Sequence, residues 1–266
     1  MFKSIKILIF CFCFSFSLDG LIFEIPSITD LPPYLRNESL VIVNVHSVLI
    51  EPAQMLGSEE WAEYELQNLK ENEGMSYKEA MEELVPIWQR ILLSSPMKCV
   101  EPTTMGMVRY LQKRGYKILG IDSQEVEMAY PTHFQLKALD IDMLRSAPYT
   151  GCTVVDLKPY AKYIDGILFI GNRGDFPLAI TKFFECLKER PKHVIYIDTD
   201  TYRVASVADE LNWKGIQTVG LRLTARDGKK SLYNPSVVEI QKRYQGKMLP
   251  DREAYWLVNH GFGDGH

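Results

Sequence analysis

Cysteine is scarce in this chain, with five in 266 residues. Cys11 and Cys13 fall in the first stretch, which leaves Cys99, Cys152 and Cys186. Three is an odd set that allows at most one bridge, so neither a disulfide framework nor a zinc cluster is indicated. Basic charge is not in excess either: 30 Lys and Arg against 34 Asp and Glu give a net charge of −4. With no basic patch, nucleic acid is not an expected partner. The apolar run at residues 7–16 is shorter than the ~18 residues that a membrane span needs. Repeats and low-complexity tracts are also missing, which excludes solenoids and disordered arrays. What remains is ordinary globular composition, 46% hydrophobic and 24% charged, in a chain long enough for one sizeable core.

The start of the chain has its own character. Lys3 and Lys6 precede the apolar run, and Ser15-Phe16-Ser17 follows as a small-x-small exit. That is the layout of a secretory signal peptide over residues 1–20, and it implies export to the periplasm or beyond, with no membrane attachment after removal.

The stretch around which the rest is organised is Val41-Ile-Val-Asn-Val-His-Ser-Val-Leu-Ile50. It reads as a buried strand that begins the folded core, because loop-like residues precede it and β-branched residues fill it. Asn44, His46 and Ser47 stand at its carboxyl end, where open α/β sheets place their working groups.

Further on, the sequence reads as two helices inserted directly after that strand, a small cap within residues 53–100. Gly74 separates them, Ser76 and Glu79 form a capping box, and Pro86 is expected to kink or divide the second. Ala80, Leu84, Trp88, Ile91 and Leu92 give that helix one apolar stripe. Helices and strands then alternate. Strands are expected at 116–122, 166–170, 192–198 and 215–220, with helices at 104–114, 132–139, 175–187, 201–211 and 235–244. This rhythm predicts an αβα sandwich on a parallel sheet. Asn44 and His46, Asp122 and Ser123, and Asp198 and Asp200 are then expected to meet in one crevice at the strand ends.

The order of elements, together with several longer pieces, resembles the haloacid dehalogenase (HAD) superfamily. Those pieces include Ala53-Gln54-Met-Leu-Gly57-Ser58, Gly166-Ile-Leu-Phe-Ile-Gly-Asn172-Arg173-Gly174, Val194-Ile-Tyr-Ile-Asp198 and Tyr233-Asn234-Pro235. More closely, they are similar to a branch of HAD-like proteins found in intracellular bacteria. The resemblance runs over residues 40–255 and implies a Rossmannoid sheet. It also implies a phosphoryl-transfer site. There an aspartate after the first strand attacks phosphorus, a second aspartate moves the proton, and a hydroxyl and a lysine hold the phosphoryl oxygens. Acids after the fourth strand bind Mg²⁺.

On these positions the chain departs from the pattern. Asn44 stands where the resemblance puts the nucleophile, and an amide cannot form the acyl phosphate. His46 stands at the acid/base place, and Val48 where a threonine is usual. Asp122 takes the place of the phosphate-binding hydroxyl, with Ser123 beside it. Arg173 takes the lysine's place, which keeps the charge but changes its geometry. Asp198 matches the metal-binding acid, but Thr199 follows it, with Asp200 one residue on.

The leading expectation is a catalytically degenerate HAD-fold protein that acts by binding an unspecified protein or small molecule, with no cofactor. A Mg²⁺-dependent phosphohydrolase with unconventional residues is the first alternative. A metal enzyme of another class, using His46, Asp122 and Asp198, is the second.

The leader yields the first prediction. Protein isolated from its native cell should have lost roughly the first seventeen to twenty residues, as read by intact mass. A Met1 start in the envelope fraction contradicts it.

Overall fold

The computed structural model describes residues 21–149, 154–157, 161–172, 174–187, 190–244 and 249–262. The leader expected at residues 1–20, together with Cys152 and Arg173, lies outside the described residues.

The organising strand is real but shorter than its pattern. All five residues of β2 (Leu40–Asn44) are buried. A tight turn then occupies Val45–Leu49, and β3 (Ile50–Pro52) begins a separate ladder. The break is made by Ser47 at φ +83°, following His46 at φ −76° and ψ 137°. This pair of conformations makes a type II turn, which needs positive φ at its second central residue and usually has glycine there. Ser47 holds the position at some backbone cost.

Nor does β2 begin the core. β1 (Leu21–Ile25) precedes it and pairs in parallel with β10 (Gln217–Leu223), Leu21 opposite Val219 and Ile25 opposite Leu223. Only Ile25 of β1 is buried, so this edge strand, Leu-Ile-Phe-Glu-Ile, carries apolar residues without the alternation that marks an inward face.

The other strands are β4 (Met97–Cys99), β5 (Lys117–Asp122), β6 (Val154–Asp156), β7 (Lys162–Ile164), β8 (Ile167–Phe169) and β9 (His193–Asp198). The main sheet has the order β1-β10-β9-β2-β5-β8-β7-β6. Its pairs are parallel from β1 to β8, and β7 and β6 close one edge as antiparallel strands. Helices cover both faces, so the expected αβα sandwich with a mostly parallel sheet is what forms.

The pleat of β2 sorts the core into two layers. Val41 and Val43 pack with Ile118, Ile195 and Ile197 beneath α3 (Thr104–Lys113) and α4 (Ala129–Ala138). Leu40 and Ile42 pack with Leu119, Ile121 and Tyr196 beneath α5 (Phe176–Phe184) and α6 (Thr201–Trp213).

The insert lies between β3 and β4, which pair antiparallel as its stem. It carries α1 (Glu59–Asn72) and α2 (Tyr77–Ser94). The Ser76–Glu79 capping box is present, Ser76 N–H donating to Glu79 at 2.9 Å. Pro86 neither ends nor divides α2, which runs on to Ser94. Two helices complete the chain: α7 (Pro235–Arg243), capped by Asn234, and α8 (Asp251–Leu257), which had no periodic signal. Cys99 and Cys186 are free thiols. Among the described residues no helix is long and apolar enough to cross a membrane.

Candidate functional site

Side-chain alternation in the sheet decides which strand-end groups can meet. Along β9, Tyr196 and Asp198 follow Val194 on the α6 face, and along β2, Asn44 follows Ile42 on that same face. Val43 pairs with Ile197, which sets Asn44 beside Asp198. Along β5, Ile118 lies on the α3 face, and Asp122 follows it by the same alternation. The strand ends therefore do not merge into one cluster. They form two pairs whose acids leave opposite faces of the sheet, with His46 brought to Asp122 by the turn after β2.

The first pair is centred on Asp198, which has no exposed surface. Its Oδ2 accepts from Asn44 Nδ2 at 3.0 Å, Tyr196 OH at 2.8 Å and Arg203 Nε at 3.0 Å. Its Oδ1 accepts from the backbone N–H of Thr199 at 2.7 Å, that of Asp200 at 3.1 Å, and Arg203 Nη2 at 3.0 Å. Six donors on two oxygens exceed the roughly four lone-pair directions of a carboxylate. Burial and the neighbouring Asp198 charge push the Tyr196 phenol well up, so it stays protonated and donates. Burial works against the Arg203 guanidinium, but Asp198 and Asp200 outweigh it and raise its pKa.

Local sequence explains how Arg203 gets there. Asp200 caps α6, accepting from the Arg203 N–H at 2.9 Å, so its carboxylate is used on the helix. Arg203 then sits in the first turn, next to the end of β9, and grips Asp198 through two nitrogens. The sequence reading missed both Arg203 and Tyr196. A cation three residues past an Asp N-cap, itself just past a strand-end acid, was the available signal.

The second pair is His46 and Asp122. Nδ1 of His46 is 2.9 Å from Asp122 Oδ2, and Asp122 Oδ1 accepts from Gln124 N–H at 3.0 Å. Desolvation lowers the His46 pKa, but the Asp122 charge and hydrogen bond win and leave it raised. The other ring nitrogen, Nε2, is buried with no partner. The Ser47 hydroxyl accepts from Thr199 Oγ1 at 3.3 Å and stitches the turn to β9. Val48 is core, with no exposed surface.

The insert covers this region through charge. Arg226, in the segment after β10, is 7% exposed in its side chain and meets Glu59 at 2.7 Å, Glu60 at 3.0 Å and Glu51 at 3.3 Å. Lys229 and Lys98 also bind Glu51. Arg226 and Lys229 thus pin β3 and the start of α1 to the segment after β10, while Lys98 ties Glu51 within the stem.

Mg²⁺ is the metal that the resemblance implies here, and the residues present do not fit it. Asp198 has no free lone pair facing Asn44, and Arg203 already supplies the positive charge. Among the described residues no group of three or more His, Cys, Asp or Glu side chains is placed to hold a metal. His46, Asp122 and Asp198 are divided between the two pairs rather than gathered.

Fold and site together define an α/β protein whose parallel-strand ends are tied off by internal hydrogen bonds. The family model described as "Protein of unknown function (DUF2608)" matches residues 24–255, and the chain belongs to that family. A Chlamydia muridarum protein named "Putative outer membrane protein" is 25% identical over 221 residues, covering 83% of this chain and 82% of its own. A Chlamydia pneumoniae protein with the same words in its name is 22% identical and covers 96% of each chain. Among solved structures, a "Putative haloacid dehalogenase-like hydrolase" from Bacteroides fragilis is similar at 11% identity and a TM-score of 0.43, covering 71% of this chain and 99% of its own. At that identity nothing of the hydrolase's chemistry transfers to this chain.

Two predictions follow from the geometry. Replacing Arg203 by Met leaves Asp198 buried with its cation gone, which should cost about 3 kcal/mol of stability. Arg203→Lys should recover only part of it, because an ammonium cannot make the two-nitrogen grip. Urea unfolding measures both, and a loss for Arg203→Met of under about 1 kcal/mol contradicts the assignment.

The second concerns pH. Because the folded His46 pKa lies above its ordinary value of 6.5, the pair favours the imidazolium. Its contribution is full below that ordinary value and fades as pH rises through the folded one. The melting-temperature gap between the wild type and His46→Gln should be widest near about pH 5.5 and shrink above neutrality. A gap that does not change with pH refutes it.

Proposed function

We propose that this chain is an exported protein on a HAD-type scaffold that does not turn over phosphoryl substrates and works by binding. The observation that carries this reading is the state of Asp198. In a phosphoryl-transfer site on this scaffold, that acid holds Mg²⁺ next to a nucleophilic aspartate. Here the nucleophile's position is Asn44, which donates to Asp198 instead of attacking phosphorus, and Arg203 serves as a built-in counter-ion.

Magnitudes favour the same side. Removing a covalent nucleophile costs on the order of 10⁶-fold. A misplaced proton shuttle adds about 10²–10⁴. Asp122 at the phosphate cradle repels a phosphate on top of both. Export is supported by the charged start followed by a short apolar run, and by the names of the Chlamydia relatives. A final location in the periplasm, the outer membrane or outside the cell is compatible with each of these.

One observation favours a second reading, turnover by unconventional groups. His46 is oriented through Nδ1 by a carboxylate and leaves Nε2 without a partner. That is also the arrangement of a general base.

The test separates them. With Mg²⁺, hydrolysis of a generic aryl phosphate should stay at background in the wild type and in Asn44→Asp. Moreover, Asn44→Asp should lower stability, because it turns a 3.0 Å donor into a like charge against Asp198. Turnover that disappears in Asn44→Ala or His46→Ala overturns the non-catalytic reading.

A further inference from the structure

The insert and α7 enclose a hollow of about 630 Å³, to which none of Asn44, His46, Asp122 and Asp198 contributes. Its wall is largely apolar, formed by Leu56, Trp61, Leu69, Leu84, Ile87 and Ile91. That volume lies within the roughly 300–1,000 Å³ of small-molecule sites.

Polar side chains line it as well, among them Glu65, Glu83, Arg90 and Lys242, and three of the polar ones are buried: Gln54, Ser95 and Gln241. Gln54 is 9% exposed and Ser95 is 6% exposed. Gln54 Oε1 and Ser95 Oγ are both buried without a hydrogen-bond partner. The stem of the insert sets them opposite each other. Pro52 pairs with Met97, and Ala53 N–H donates to the Pro96 carbonyl at 2.9 Å, so the next step outward brings Gln54 across from Ser95. Gln241, on the same wall, is by contrast fully used. Its carbonyl accepts from Leu56 N–H at 2.9 Å, and its amide donates to Leu249 O and Asp251 Oδ1. An orphaned acceptor beside an orphaned hydroxyl is costly in an apolar setting, and a ligand with its own donor and acceptor satisfies both.

The rim adds a charge. Lys242 is held by Glu65 at 2.9 Å and Glu239 at 2.8 Å. Arg90 is exposed and lines the hollow, and it has no ion pair among the described residues.

We propose that this hollow binds an amphipathic acyl amide that carries a carboxylate. The hydrocarbon lies against Trp61, Leu84 and Ile91. The amide N–H donates to Gln54 Oε1, the amide carbonyl accepts from Ser95 Oγ, and the carboxylate meets Arg90. This site deepens the binding role proposed above and rests on it. Its failure is nevertheless separable: Asn44-dependent hydrolysis overturns the non-catalytic reading and leaves this site standing. Absence of binding without hydrolysis overturns this site alone.

Titration calorimetry of the purified protein with N-decanoylglycine tests it, with decanoate as the comparison. One saturable site per chain is expected, with decanoate binding more weakly. Ile87 is 38% exposed, so Ile87→Trp can fill the hollow from its rim without disturbing the core. It should weaken binding by at least about tenfold while leaving the melting temperature unchanged. Gln54→Met, similar in shape but without the acceptor, should weaken N-decanoylglycine by about five- to tenfold and leave decanoate unaffected. No saturable binding, or binding to Ile87→Trp as tight as to the wild type, overturns the site. Equal affinities for the two probes, insensitive to Gln54→Met, overturn the amide assignment.

Discussion

A carboxylate with no exposed surface must be answered by the protein around it, and Asp198 sets that requirement for this fold. Leaving such a charge unpaired costs several kcal/mol. Tyr196 from the same strand, Asn44 from the neighbouring strand, two backbone amides at the start of α6 and the Arg203 guanidinium all turn toward it. The result fixes the register of β2 against β9 and the approach of α6 to the sheet. The same arrangement removes the open coordination that a metal would need, so one set of contacts governs both stability and chemistry.

Much of this frame was legible in the sequence. β5 and β9 are short apolar runs ending in polar groups and appeared within a residue of where the pattern put them, while β2 takes only the front half of its run. Asn44, Asp122 and Asp198 do end their strands, whereas His46 stands in the turn after β2. The division of the three strand-end residues Asn44, Asp122 and Asp198 between the two faces was not read, although it follows from a period of two; His46 escapes that count through the turn at Ser47. Counting back from Asn44 and Asp198 to Ile42 and Tyr196 gives one face, and from Asp122 to Ile118 the other. Arg203 was hidden for a different reason. An arginine in a first helical turn reads as a solvated charge until the three-dimensional neighbour of that turn is known. Arg173, which drew attention through the resemblance, lies outside the described residues, and the guanidinium at Asp198 comes from another element. β1 was hidden because Leu-Ile-Phe-Glu-Ile lacks an alternation and follows directly on the apolar leader, and the turn at Ser47 because serine is an unusual occupant of a positive-φ position.

The insert raises a question of motion. A cap over a catalytic crevice is useful when it can open and close, and the segments that move are drawn from the least stable parts of a fold. Here the stem strand β3 carries Glu51, 5% exposed, which is bound by Arg226, Lys229 and Lys98. Trp88 of α2 donates to the Gly57 carbonyl at 2.7 Å, and Gln241 of α7 holds Leu56 N–H. Swinging β3 and α1 away would part Arg226 from three carboxylates at once and cost at least about 3 kcal/mol if only one of those contacts were fully buried. That cost favours a fixed wall over a moving lid.

A fixed wall changes what the molecule can be used for. Catalysis under a cap needs alternation between an open and a closed form, whereas binding gains from a cavity that is already shaped before the ligand arrives. While Arg226 holds the start of α1 on one side, Lys242 on Glu65 and Gln241 on Leu56 N–H tie the insert to α7 on the other. The hollow lined by Trp61, Leu84 and Ile91 lies between the insert and that helix. On the binding role proposed above, a rigid crevice side and a preshaped hollow both follow from these contacts. Selection for a rigid scaffold would favour both together, with no separate pressure on the hollow's shape.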